Sequence, residues 1–211
     1  IAALRQEAPE KRIIGDKLKP GDLVVLVVPI DKAAPKGRLI LPQQQTIRDI
    51  LEAGAAAIVV RDTELALTLQ KLGRNPELVI TDSQVFGAVS KIVPREVPLT
   101  SFSILMARYK GLLEEAVRGA AAVAGLRDGD TVLIAEGCTH HRQCDDIGTV
   151  KIPNWLRKAT GKELNIRVCS GTEFPDDLSG IALAVHCGGC MLNEREVRYR
   201  MKCAVDQGVP I

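Results

Sequence analysis

Cys138-Thr139-His140 and His186-Cys187-Gly188-Gly189-Cys190 stand 45 residues apart and contain three of the six cysteines. Three chemistries fit those residue types. An iron–sulfur cluster takes thiolates from Cys138, Cys187 and Cys190, and its fourth iron site is left to a non-cysteine group or stays exchangeable. Zinc takes the same three sulfurs, with one histidine completing a Cys₃His tetrahedron. A Cys-x-x-Cys pair at a helix start does dithiol redox chemistry without metal. Buried structural cysteines are the plain alternative to all three, and spacing alone does not separate iron from zinc. For the fourth position the nearest candidates are His140, His186 and Asp145. His141, Cys144 and Asp146 flank the same stretch, and His141 reads as part of an exposed loop.

Weaker candidates surround these. Glu136 reads as a strand-end residue facing solvent. Cys169 reads as a small buried hydrophobe beside the site, and Cys203, on the last helix, as a core residue. Lys151, Arg157, Lys158 and Lys162, around Trp155, read as a solvated helix face. The chain has no Gly-x-x-x-x-Gly-Lys-Ser/Thr loop and no Gly-x-Gly-x-x-Gly, so neither nucleotide-binding fingerprint is present in it.

Strands and helices must bring these residues together. Apolar runs recur at Asp22–Val28, Ala56–Val60, Leu78–Thr81, Thr131–Ala135, Leu164–Val168 and Ile181–Val185. Most are continuous, as strands buried on both faces are. Leu164, Ile166 and Val168 alternate with Asn165 and Arg167, which predicts a strand nearer an edge. Between the runs, Ile47, Ile50 and Leu51 share one helical face, Leu65, Leu69 and Leu72 a second, and Val85, Val89 and Ile92 a third. Ser101–Leu126 reads as mainly helical, with an apolar stripe of Leu112, Leu113, Ala116 and Val117.

Alternation of strand and helix predicts an α/β fold of two domains, each a mostly parallel sheet flanked by helices. The boundary is placed near Lys110-Gly111. Cys138 and His186-Cys187 both follow strands, and parallel sheets build their sites at the carboxyl ends of strands. Past Cys190, Asn193 is a good N-cap and Glu196 completes a capping box. The positive end of that helix favours thiolates before it.

Composition narrows the function classes. With 28 Lys+Arg against 26 Asp+Glu, the net charge of +2 does not mark an electrostatic nucleic-acid binder. Aromatics at 3% argue against base-stacking platforms. No apolar run approaches the roughly 20 residues of a membrane-spanning helix, and no secretory signal opens the chain. A cytoplasmic setting is expected. The chain starts at Ile1 and reads as a fragment or a processed chain.

Longer stretches resemble a known family. Val28-Pro29-Ile30-Asp31, Ala34-Pro35-Lys36-Gly37-Arg38-Leu39-Ile40 and Leu41-Pro42-Gln43 are similar to the dimerising domain of HydF, the FeFe-hydrogenase maturation factor family. Ser101-Phe102-Ser103-Ile104-Leu105 and Ala107-Arg108-Tyr109-Lys110-Gly111 resemble its junction with the next domain. Cys138-Thr139-His140-His141, Asp146-Ile147-Gly148 and His186–Asn193 resemble its cluster domain.

The resemblance implies a linker at 1–20 from an N-terminal GTPase domain that these residues do not include. It implies a homodimerisation domain at 21–110 and a cluster-binding domain at 111–211. It implies a non-enzymatic scaffold, with a 4Fe–4S cluster on Cys138, Cys187 and Cys190, that receives a diiron precursor and delivers it to apo FeFe-hydrogenase. Two radical-SAM maturases would be its other partners. The expectation from another class is a zinc- or Cys-x-x-Cys-dependent thiol redox enzyme.

Overall fold

Five consecutive buried aliphatic residues make β1 (Leu23–Val27) the centre of the first sheet. A computed structural model describes residues 11–30, 37–137, 147–171, 173–189 and 192–211. Strand β1 pairs in parallel with β2 (Ala56–Val60) on one side and β3 (Leu78–Thr81) on the other, and β3 pairs in parallel with β4 (Leu99–Ser101). The order is β2-β1-β3-β4. Both faces of β1 are covered, which is why its sequence does not alternate. Val24, Leu26 and Val28 pack with Ile50 of α1 (Leu41–Glu52) and with Phe102, Leu105 and Met106 of α4 (Phe102–Tyr109). Val25 and Val27 pack with Leu65 of α2 (Leu65–Leu72) and Val89 of α3 (Phe86–Val89).

The second sheet has three strands, in the order β6-β5-β7. Central β5 (Thr131–Glu136) pairs in parallel with β6 (Asn165–Ser170) and β7 (Ile181–His186). Leu133 and Ala135 face Val197, Met201 and Ala204 of α7 (Glu194–Asp206) together with Leu112 and Phe174. Val132 and Ile134 face Leu156 of α6 (Ile152–Thr160) and Leu126. The chain is therefore α/β with two parallel sheets flanked by helices, as its alternating pattern predicts.

Several details differ from the sequence reading. The region 101–126 is mainly helical, as expected, but divided in two. After α4, Gly111 turns the chain at φ +78°, and α5 (Leu113–Ala122) begins anew. Of the expected stripe, Leu112 is buried but Val117 is 63% exposed. The third helix shrinks to Phe86–Val89, leaving Ile92 exposed. Strand β4 has only three residues and no apolar run to announce it.

Ahead of β1, the 11–17 segment is fastened across the first unit. The Asp49 carboxylate accepts the backbone N–H of Ile14 (2.8 Å) and Gly15 (2.6 Å). Arg108 of α4 pairs with Asp16 and donates to the Ile13 carbonyl at 2.8 Å. None of the described helices is long and apolar enough to cross a membrane.

Candidate metal centre

Strands β5 and β7 are neighbours, with Ala135 in register with His186. The Cys187 N–H donates to the Ala135 carbonyl at 3.0 Å, so the ladder runs up to the cysteine itself. Just beyond, the Cys187 sulfur accepts the backbone N–H of Gly137 at 2.9 Å and that of Gly189 at 3.4 Å. Gly189 takes φ +60°, a left-handed conformation that brings its amide back toward the sulfur and that a side chain would resist. Two backbone N–H groups thus converge on one sulfur, at the point where the two strand ends meet. Residue 137 immediately precedes Cys138, so the two strand ends that carry the cysteines do converge. Cys138, His140, His141, Cys144, Asp145, Asp146 and Cys190 lie outside the described residues. Among the described residues, no group of three or more metal-ligating side chains is gathered.

His186 is half-buried under this loop, and both its ring nitrogens are engaged. Nδ1 lies 2.5 Å from the Cys187 carbonyl, and Nε2 lies 3.5 Å from Nη1 of Arg200. A guanidinium only donates, so Nε2 accepts and Nδ1–H points at the carbonyl. Burial, reinforced by the positive charges of Arg200 and Lys110 against the opposing bond to the Cys187 carbonyl, pushes the imidazole pKa down to about 4. The ring is neutral at ordinary pH.

Arg200 carries that arrangement and is itself only 1% exposed. Its Nε donates to Glu196 at 2.7 Å, its Nη2 to the Gly171 carbonyl, and its guanidinium lies 5.2 Å from the Phe174 ring centre. One side chain thus ties α7 to the segment after β6 and to the end of β7. The sequence reading passed over Arg200. Its signal was position, since it shares the inward face of α7 with Val197, Met201 and Ala204. The N-cap itself forms as expected, because Asn193 accepts the Glu196 N–H at 2.8 Å. The Glu196 carboxylate turns to Arg200.

Glu136 corrects an expectation. It is 5% exposed and does not face solvent. Its carboxylate accepts from Ser170 Oγ at 3.1 Å and lies over Gly148. The last residue of a central strand is covered by whatever follows its neighbours, which no run of residues around Glu136 discloses.

Cys169 sits in register with Ala135 on the opposite side of β5 and packs against the second sheet's core. Burial pushes its thiol above the usual range. Cys203 is half-buried, its sulfur 3.4 Å from the Asp176 carbonyl, and burial also raises its pKa. Around Trp155, which is 52% exposed, the expected solvated basic face holds only in part: Lys158 is exposed, Lys151 and Lys162 are half-buried, and Arg157 turns inward to donate to the Leu164 carbonyl at 3.2 Å.

Two family models account for nearly all of the chain. Residues 13–111 match the hydrogen maturase F dimerization domain, and residues 114–211 match the hydrogen maturase F tetramerization domain. No curated protein matches the chain.

Proposed function

Because this chain belongs to the hydrogen maturase F family, whose role is hydrogenase maturation, we propose that it is the carrier part of that machinery. It holds a 4Fe–4S cluster on Cys138, Cys187 and Cys190 and delivers a diiron precursor, its cargo, to apo FeFe-hydrogenase. The observation that carries this reading is the Gly137 N–H on the Cys187 sulfur at 2.9 Å. It joins the two cysteine-bearing strand ends and supplies the backbone donors that cluster-bound thiolates use. A soft sulfur beside two amides fits the group. When bound, the cluster supplies an iron site that three thiolates leave open to exchange.

The chain's own residues anchor and orient. Cys187 is placed by the β7 ladder and the two glycine amides. Burial keeps His186 neutral, and Arg200 and the Cys187 carbonyl hold its ring between them. With both ring nitrogens engaged, His186 is the weakest of the three fourth-ligand candidates, and His140 or Asp145 is favoured. On this reading the chain binds its cargo and hands it over. The radical-SAM maturases are the proposed source of the cargo.

The test is anaerobic reconstitution with iron and sulfide, followed by iron analysis, EPR and activation of apo-hydrogenase by protein loaded with a diiron precursor. Cluster uptake and activation are expected. Zinc uptake with no labile sulfide, or disulfide reductase activity without iron, would replace this reading with the thiol redox alternative.

Self-association follows from the two family domains, and the first sheet offers a place for it. Strand β2 is an edge strand, and Val59 on it is 43% exposed. The Ala56 N–H and the Val60 carbonyl face β1. Ala57 and Val59 therefore point their N–H groups outward, where a two-fold partner could pair. Val59→Pro removes one outward donor per protomer and leaves the β1 ladder intact. It should weaken the dimer about tenfold to a hundredfold by light scattering, the range expected for two lost bonds and a steric block. Unchanged dimer mass across a dilution series would place the interface elsewhere.

A further inference from the structure

The loop that carries Cys187 is held from outside its own sheet. Lys110, at the carboxyl end of α4, is 7% exposed. Its Nζ donates to the carbonyls of Gly189 and Leu192, the latter at 2.8 Å. These two carbonyls bracket Cys190 in sequence. Gly189 contributes at both ends of its backbone: its N–H faces the Cys187 sulfur and its C=O faces the ammonium.

The amino end of α4 meets the same loop. A Cβ on Gly188 would lie 3.1 Å from both Cα and the carbonyl oxygen of Ser103, a close approach of the two backbones that glycine accommodates without displacement. Ser103 Oγ is itself 2.7 Å from Ser83 Oγ, just past β3. An eight-residue helix of the first unit therefore touches the cysteine loop of the second at each end. Burying an ammonium is unfavourable by several kcal/mol unless its protons are satisfied. Lys110 spends those protons on the loop's carbonyls, where they pin backbone that has no ladder of its own.

We propose that Lys110 is a positioning residue for the cluster loop, fixing the Gly189 and Leu192 carbonyls so that the Gly189 amide stays on the Cys187 sulfur, and placing a positive charge against the loop backbone. The charge role rests on the cluster reading above. The geometric role does not.

Full-length chain carrying Lys110→Met, Lys110→Gln or Lys110→Arg separates the two. In metal-free protein, hydrogen exchange at the Gly137 and Gly189 amides should quicken about tenfold in Lys110→Met, as the loop opens more often. Lys110→Gln keeps a donor and should fall between, which also covers the case in which the methionine variant does not fold. In reconstituted protein, Lys110→Met should shift the cluster midpoint potential to more negative values and release iron to a chelator faster. Lys110→Arg restores the charge and should return the potential toward the wild-type value, with retention only partly recovered. Unchanged amide exchange in both neutral variants would overturn the proposal. If the wild-type chain took up no cluster while exchange still quickened, the cluster reading would fall and the positioning role would stand.

Discussion

Replacing Cys187 by serine should leave the chain unable to hold a cluster. After anaerobic reconstitution its iron content should fall to about a tenth of the wild-type value or less, because thiolates are the ligands that firmly anchor such clusters. Cys138→Ser and Cys190→Ser should behave alike, and all three should keep their circular dichroism. Serine keeps the shape of Cys187 and can still accept the Gly137 and Gly189 N–H groups. What it lacks is the soft sulfur that binds iron. Cys169→Ser and Cys203→Ser are the controls and should retain near-normal iron. Burial pushes both thiols up, and the Cys203 sulfur is turned to the Asp176 carbonyl. Full iron in Cys187→Ser would end the cluster assignment. Activation of apo-hydrogenase by loaded Cys138→Ser protein would end the carrier reading, even if iron were lost.

The second large effect is on stability. Arg200→Met should destabilise the chain by about 3 kcal/mol, the lower part of the range for breaking a buried ion pair by removing one partner. The loss has named parts. Glu196 loses a 2.7 Å partner, the Gly171 carbonyl loses its donor, and the Phe174 ring loses its cation. Methionine fills much of the volume, so a cavity contributes little. In a chain of this size the melting midpoint should drop by about 10 °C. Arg200→Lys should recover less than half, since a point ammonium cannot serve a carboxylate, a carbonyl and a ring face from one fixed fork. A shift under about 1 kcal/mol in Arg200→Met would show that the guanidinium adds nothing net beyond its own desolvation. His186 reports independently. Without Nη1 beside Nε2, its ring should turn, and the Nδ1 resonance should lose its bond to the Cys187 carbonyl.

Much of the architecture was legible one residue at a time. Strands β2 and β3 coincide with the apolar runs Ala56–Val60 and Leu78–Thr81, and β1 lies within Asp22–Val28. Strands β1 and β3 are buried throughout, as their unbroken apolar runs require, whereas β2 carries the same kind of run at a half-exposed edge with Val59 43% exposed. The alternating run at Leu164–Val168 became edge strand β6, shifted to Asn165–Ser170. Parallel strands place their carboxyl ends together, so the approach of residue 137 to Cys187 followed from the order of strands, although 50 residues separate them.

What the sequence by itself determined, then, was which segments form strands, which helices lie between them, and which strand ends carry sulfur. Tertiary structure alone decided what becomes of the charged and polar residues between. Glu136 is buried because Ser170 and Gly148 cover it. Arg200 is buried because segments ending at Gly171 and His186 supply an acceptor carbonyl and a neutral ring. Lys110 marked a domain boundary in the sequence, yet its ammonium is spent on carbonyls 79 and 82 residues away. Hydrophobic periodicity reports the average surroundings of a face. Burial of a charge depends on whether remote backbone atoms arrive to satisfy it, and no local pattern of side chains encodes the positions of carbonyl groups.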